Sequence, residues 1–294
     1  MGLTMKQADL HSHTTASDGT NAPTINVKLA KEAGLAVIAI TDHDTVAGVG
    51  EALEEGVRLG IRVVPGVEIS TVADEQDIHI LGYFIDLHDS VFLDRLQQLR
   101  DVRDNRNRLV MEKLSEALQV HLTMDDVMNN LTKSVGPDET IGRPHIADLL
   151  MARGYVSTLK EAFDLYLGKT GSAYINPPRI HPEQAIDWIH EAGGVSVIAH
   201  PGLYDNDPLV ENLLQYGADG IEAYHADHTQ ADVAKYIQFA SRYGVTVTAG
   251  SDYHGERAGV VFHAPIGTCR IDAAVVDTLW EKSNQYRRGG RPTI

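Results

Sequence analysis

Gly34-Leu35-Ala36-Val37-Ile38-Ala39-Ile40-Thr41-Asp42-His43-Asp44 is the stretch that decides the fold. Gly34 stops a helix that reads from Pro23 to Ala33, with proline suited to the first turn. Ala36 to Ile40 is then a compact apolar run with β-branched residues, the pattern of a strand buried on both faces. It ends abruptly in acid, histidine, acid. Working outward, Ala8 to Leu10 reads as an earlier strand, and Val46 to Leu59 as a helix ended by Gly60. Arg62 to Val67 reads as a strand interrupted by Pro65, and Ile78 to Ile85 as another. Alternation of this kind predicts a parallel sheet or a barrel.

The alternation stops at about Leu93 and resumes after Ser172. Between them Val91–Leu118, Met124–Leu131, Arg143–Arg153 and Thr158–Leu167 all have helical character. After them come helices Pro182–Ala192, Pro208–Tyr216 and Thr229–Tyr243, and strands Val195–Ala199, Gly220–Ala223 and Val245–Ala249. Cys269–Ile271 and Ala273–Tyr286 read as a last strand and helix, and the Gly- and Arg-rich tail from Arg287 to Ile294 is expected to fray. The expected fold is therefore α/β, a distorted barrel of about seven β/α units. Residues 1–92 and 181–294 form the barrel, and 93–180 form an all-helical insertion that caps it.

Composition narrows the function. The chain has 294 residues, 43% hydrophobic and 22% charged, enough for a sizeable core. Its single cysteine, Cys269, excludes an internal disulfide and a thiolate metal cluster, and suits a reducing, cytoplasmic setting. The start, MGLTMKQADLHSH, carries no signal-peptide pattern, and no apolar run reaches membrane-spanning length. A formal net charge of −16 excludes a broad basic platform for double-stranded DNA, though not a local cationic pocket. Fourteen histidines beside an excess of acids point to a metal site of imidazole and carboxylate.

The candidate residues recur at one place, the C-terminal ends of strands, where barrels carry their active sites. His11 and His13 sit two apart on extended backbone and so point to one side. Asp18, His43, Glu68, His79, His200, Asp252 and His254 complete the set. Each alone has a plainer reading. The histidine pair could be loop residues, Asp18 a turn residue, Glu68 half of a buried salt bridge, and His79 a core histidine. Six histidines and three carboxylates at successive strand ends point instead to a shared site.

These residues resemble the PHP (polymerase and histidinol phosphatase) family of metal-dependent phosphoesterases. The resemblance rests on ADLHSHTTASDGT (8–20), AITDHDT (39–45), PGVEIS (65–70), DIHILGY (77–83), VIAHPG (197–202) and GSDYHG (250–255). The family's nine-ligand order falls on His11, His13, Asp18, His43, Glu68, His79, His200, Asp252 and His254 with no position missing. Within the family the chain is most similar to the small stand-alone branch with nucleoside 3′,5′-bisphosphate phosphatases and a 5′-to-3′ exoribonuclease. Ile141-Gly142-Arg143-Pro144-His145 and Tyr166-Leu167-Gly168-Lys169 carry that closer likeness. The resemblance implies three divalent ions: one on His11, His13, Asp252 and Glu68, a second on Glu68, His79 and His200, a third on Asp18, His43 and His254. Zinc, iron and manganese all suit such donors.

The implied reaction is in-line attack on phosphorus by a hydroxide bridging metals about 3.5–4 Å apart. Asp42, and less strongly Asp9, would orient ligand histidines. His225, with His228 behind it, is the candidate general acid or phosphate contact. Arg143 and Lys169 are candidates for a second phosphate, His145 and Tyr174 could join them, and Tyr174 could also stack on a base. The expected partner is a phosphorylated small molecule, a nucleotide or a short RNA end. The competing readings are a histidinol-phosphate or other small phosphomonoester phosphatase, an amide hydrolase or deaminase on a related barrel, and a non-catalytic metal-binding module. No strand-end lysine is present to carry the carbamate of the amide hydrolase reading.

Overall fold

The computed structural model describes residues 6–289; the end of the tail, 290–294, lies outside them. Arg287 does not fray. It closes the last helix, donates to the Phe84 carbonyl and lies over the Trp280 ring.

Seven strands make the barrel: β1 Gln7–Asp9, β2 Val37–Ile40, β3 Arg62–Ala73, β4 Gln76–Tyr83, β5 Val195–Ile198, β6 Gly220–His225 and β7 Thr246–Gly250. They lie side by side in chain order. The ring nearly closes where the Leu10 N–H donates to the Ala249 carbonyl (2.9 Å) and the His13 N–H to the Tyr253 carbonyl (2.8 Å). Gly250 permits this closure, because a Cβ there would run into the His11 side chain. The late strand, Ile271–Asp272, pairs antiparallel with the outer edge of β1.

The expected uniform alternation fails between β3 and β4. These strands form an antiparallel hairpin, and β4 is antiparallel to β5 as well. Only Asp74 and Glu75 separate them, both at positive φ (50° and 60°), a tight hairpin turn far too short for a parallel crossover. Pro65 does not interrupt β3. Its carbonyl accepts from the Phe84 N–H, and the strand runs on for 12 residues. The reversal explains why His79 lies inside a strand rather than at its end. Running backwards, β4 brings His79 opposite Ser70, beyond Glu68, at the rim where the other strands finish.

Alternate residues Val37, Ala39, Val64, Leu81, Tyr83, Val195 and Val197 fill the interior, closed below by Val276 and Leu279 of the last helix, Ala274–Arg287. The other strand face packs on helices α1 (Pro23–Glu32) and α2 (Val49–Leu59) around Ile38, Ile40 and Val63. Burial on both faces is why these strands read as unbroken apolar runs.

Because β4 runs downwards, the chain leaves it at the bottom of the barrel. Helix α3, Ser90–Leu118, carries it back up. The Asp89 side chain caps it by accepting from the Phe92 N–H (2.9 Å). Its first turns bury Phe92, Leu96 and Leu99 against the barrel, and its later turns bury Val110, Met111 and Leu114 in a separate core with Ile146, Leu149 and Leu167. That core also takes in α4 (Met124–Asn130), α5 (Arg143–Ala152), α6 (Leu159–Ala162) and a π-helical turn, Phe163–Leu167. Helix α7, Pro182–Glu191, returns to the barrel core through Ala185, Ile186 and Ile189. Among the described residues no helix is long and apolar enough to cross a membrane.

Candidate metal centre

Glu68 is the hub of the rim. Its Oε2 lies 3.0 Å from His43 Nδ1, 3.2 Å from His13 Nε2 and 3.5 Å from His11 Nε2. Its Oε1 lies 2.9 Å from His79 Nδ1 and 3.1 Å from His200 Nε2. Asp252 Oδ1 faces His11 Nε2 and His13 Nε2 at 3.2 and 3.1 Å, and Asp18 Oδ1 lies 3.4 Å from His254 Nε2. All nine expected ligands therefore converge. Eight of them fall into overlapping groups whose donor atoms lie within 4.8 Å of one another: His11, His13, Glu68 and Asp252; His13, Asp18, His43 and His254; His43, Glu68 and His79; His200 joins through Glu68 Oε1, and a further group, His225, Asp252 and His263, adjoins them. The local backbone is bent to achieve this. His200 and Asp252 both have positive φ (26° and 50°), so each turns its side chain inward just past its strand.

These residues fit cations on chemical grounds. Asp18 Oδ1, Glu68 Oε2, Asp252 Oδ1, His43 Nδ1, His79 Nδ1 and His200 Nδ1 are buried and make no hydrogen bond of good geometry. Buried carboxylate oxygens without partners are expensive, and cations relieve that cost. Burial brings the His200 imidazole down to about 4; burial and the neighbouring His13 do the same for His254. Both are then neutral ligands at pH 7. Burial opposes charge on His13 too, but the facing carboxylates of Asp252 and Glu68 raise it to about 10. Burial raises and the facing imidazoles lower the carboxyls of Glu68, Asp252 and Asp18, and the imidazoles prevail by a wide margin.

Glu222 is a functional candidate the sequence reading passed over. Its Oε1 lies 3.1 Å from His11 Nδ1, and its Oε2 accepts from the His200 N–H (2.9 Å). This carboxylate takes the Nδ1 proton of His11 and leaves Nε2 facing Glu68 and Asp252. Its signal was an acid between Ile221 and Ala223 in a strand, the same signal that singled out Glu68.

Several expected roles come out differently. Asp42 does not reach a ligand histidine. It accepts from the Thr14 and Ser17 N–H groups (2.7 and 3.2 Å) and from both hydroxyls, and so shapes the loop that carries Asp18. Asp9 touches no ligand ring either; it accepts from Ser251, the Gly267 N–H and the His11 backbone N–H (3.4 Å). His225 is buried beneath Asp252. Its Nδ1 accepts from the Asp227 N–H (3.1 Å), so Nε2 bears the proton and points at Asp252 Oδ2 (3.3 Å). His228 is committed at both nitrogens, to the Gly202 N–H and the Ala223 carbonyl. Beside the ligand histidines, His263 also lines the cavity, held by Asp227 Oδ2 at Nδ1 (2.6 Å) with Nε2 3.3 Å from Asp252 Oδ2. Nothing local marked it in the sequence.

A cavity of about 210 Å³ separates this rim from the insertion. Its far wall carries Arg103, Arg106, Arg143 and Arg179. Arg103 pairs with Asp44 (2.5 Å), while Arg143 and Arg179 share Asp77. Arg106 is 5% exposed and reaches only the neutral Asn107 side chain. Burial, and then Arg103, Arg143 and Arg179, press it well below its ordinary range. A guanidinium keeps its charge in proteins, so that cost is an attraction for an anion. Four guanidinium groups against two carboxylates leave this wall with two uncompensated positive charges. Tyr174 lies under Arg143 (5.2 Å from ring centroid to guanidinium carbon) and props it. His145 faces away, its Nδ1 accepting from the Gly142 N–H (3.0 Å) at the start of α5, and lines a different cavity behind Asp18. Lys169 is exposed on the loop after the π turn and is not among the residues around the metal centre.

Comparison with known proteins places the chain in a family of metal-dependent phosphoesterases. The family described as the PHP domain matches residues 9–193. A 5′-3′ exoribonuclease Rnm of Salmonella typhimurium is 35% identical over 253 residues, 84% of this chain and 84% of its own. A 3′,5′-nucleoside bisphosphate phosphatase of Chromobacterium violaceum is 34% identical over 260 residues, 87% of this chain and 90% of its own. A solved structure described as a metal-dependent phosphoesterase of Bifidobacterium adolescentis aligns with a TM-score of 0.85 at 32% identity, covering 94% of this chain and 96% of that one.

Proposed function

The chain belongs to the PHP domain family, and from that premise we propose that it is a cytoplasmic phosphoesterase that hydrolyses phosphate esters of nucleotides carrying a second anionic group. One observation supports this reading above the others: a carboxylate reached by five imidazoles faces, across one cavity, a guanidinium with no acid partner.

The proposed ligand sets are His11, His13, Glu68 and Asp252; Glu68, His79 and His200; and Asp18, His43 and His254. Divalent manganese, iron or zinc bound there would act as a Lewis acid on the phosphoryl group and acidify water. Glu68, shared between two of the sets, fixes their spacing. Glu222 and His225 hold His11 and Asp252 in place from behind. Arg106 and Arg143 bind the second anionic group, with Arg179 and Tyr174 holding Arg143 in position, and Arg wall and metal rim together set the distance between the two phosphates. His263, oriented by Asp227, contacts the ester oxygens from the open side. Asp42 serves indirectly, through the Asp18 loop.

The test is phosphate release from metal-reconstituted protein, run beside a metal assay. The panel is adenosine 3′,5′-bisphosphate, 5′-AMP, histidinol phosphate and a short 5′-phosphorylated RNA. Release from the bisphosphate or the RNA well above that from 5′-AMP is the expected result. Preference for histidinol phosphate would remove the nucleotide assignment. Metal bound with no release from any of the four would make the chain a non-catalytic metal-binding module.

A further inference from the structure

Resting on the phosphoesterase reading above, we infer that a cleft beside the metal cavity holds the nucleobase of the substrate between Phe163 and Phe262. The cleft has a volume of about 610 Å³, within the range of small-molecule sites, and its walls include Met151, Leu159, Phe163, Val260 and Phe262. Phe163 and Phe262 also line the metal cavity, so the two spaces adjoin at these rings. The Phe262 ring stands edge-on to the ligand His254, 5.6 Å between centroids. One space is ionic and the other apolar and aromatic. A ligand that fills both has a charged end and a flat apolar end, which is the constitution of a nucleotide. Stacking on aromatic side chains suits every base, because every base presents a π-face.

Both walls are built and held. Phe163 opens the π-helical turn Phe163–Leu167, closed by the Gly168 N–H donating to the Phe163 carbonyl (2.8 Å). A Cβ at Gly168 would lie 2.8 Å from that carbonyl oxygen, and one at Gly171 would collide with the Tyr166 carbonyl. The Tyr166-Leu167-Gly168-Lys169 motif therefore serves the backbone turn that presents Phe163, and π turns are concentrated at functional sites. Opposite it stands the hairpin Glu256–Arg257 and Val260–Val261, turned by Ala258 and Gly259 at positive φ (50° and 78°). Arg257 ties this hairpin down. It donates to the Asp18 carbonyl (2.6 Å) and to Asp148 of α5 (3.1 Å). Val260 beside the cleft remains 67% exposed, so the cleft is open to a ligand from solvent.

The experiment compares kcat/KM for adenosine 3′,5′-bisphosphate with that for base-free ribose 3,5-bisphosphate, in native protein and in Phe163→Ala, Phe262→Ala and Phe163→Trp. A misfolded variant loses both substrates together, so the ratio reads the cleft alone. In the native protein the nucleotide is expected to lead. Each alanine variant should lower the ratio by about 5- to 150-fold, through KM rather than kcat, and Phe163→Trp should restore it. A native ratio near one, or a ratio that both alanine variants leave unchanged, overturns the inference. Binding of 2-aminopurine riboside 5′-monophosphate, read by fluorescence, gives an independent answer. Saturable quenching that Phe163→Ala abolishes upholds the stacking site even if neither bisphosphate is hydrolysed, which would defeat only the phosphoesterase reading. Absence of quenching in the native protein overturns the cleft.

Discussion

On the barrel side of the cavity, Asp18 Oδ1, Glu68 Oε2 and Asp252 Oδ1 are buried acceptors faced by imidazoles but without a hydrogen bond of good geometry; on the insertion side, Arg143 Nη2 and Arg179 Nε are buried donors without one. The barrel rim is short of positive charge and the insertion is short of negative charge. Barrel carboxylates Asp44 and Asp77 do pair with Arg103, Arg143 and Arg179, but the cavity keeps the nine rim ligands apart from Arg106. Each side is thus unstable in a way that one kind of ligand corrects: cations for the rim, an anion for the wall. The site's specificity therefore lies in a paired deficit rather than in either set of residues alone. It also reconciles a chain of net charge −16 with a phosphorylated substrate, since the cationic character is local and recessed.

The sharpest way to break the comparison is at the hub. Glu68→Gln should lose bound metal and lower kcat/KM by on the order of 10³-fold, measured by steady-state kinetics with metal content on the same samples. Full metal occupancy with activity within tenfold of native would remove Glu68 from its central place. On the opposite wall, Arg106→Met should act in two directions at once. Loss of a charge-assisted contact should raise KM for a doubly phosphorylated substrate by about 10- to 100-fold. Removal of an uncompensated buried charge should stabilise the ligand-free fold by about 1–3 kcal/mol, seen as a higher denaturant midpoint. A variant that is both weaker and less stable would mean that Arg106 is a structural residue.

Glu222→Gln sharpens the comparison within the barrel. It should weaken metal affinity by about 10- to 100-fold through the orientation of His11, measured by competition with a chelator; unchanged affinity would make Glu222 a packing residue. The smallest effect is expected far from both walls. At the barrel's lower end Asp219 accepts from Tyr286 and Ser196 and lies 2.7 Å from His190 Nε2. Burial raises its carboxyl, but the hydrogen bond and charge of His190 hold it below the ordinary value. The stabilisation is therefore complete above the unfolded value of about 3.9 and is lost as pH falls from there toward the lower folded value. Asp219→Asn should flatten the acid limb of a stability-against-pH curve and leave catalysis alone. An acid limb identical to native would show that Asp219 has no such linkage.

His43, Glu68, His200 and Asp252 were legible because each comes within three residues of the end of an apolar run and so advertises its place in the fold. Glu222 was less legible, because only Gly220 and Ile221 precede it in its strand and no apolar run marks it. The β3–β4 hairpin was not legible, since Asp74-Glu75 lacks the glycine or asparagine that usually marks a two-residue turn. His263, Arg106 and Arg179 could not be singled out locally. Their roles depend on which side of a helix or loop meets the rim, and that is settled by contacts between residues far apart in the chain. Lys169 was overrated for the converse reason: its motif is real, but its glycines carry the constraint.

Helix α3 has a metrical consequence. It packs on the barrel through Phe92, Leu96 and Leu99 and presents Arg103 and Arg106 only one turn or two later, on the same rigid rod. The arginine wall is thereby held in phase with the barrel. One residue added between Leu99 and Arg103 would swing everything beyond by about 100° and lift it by about 1.5 Å. Loops can lengthen in this molecule without retuning it, but α3 is its gauge, and drift in substrate range should come by replacing the side chains on that rod while its length stays fixed.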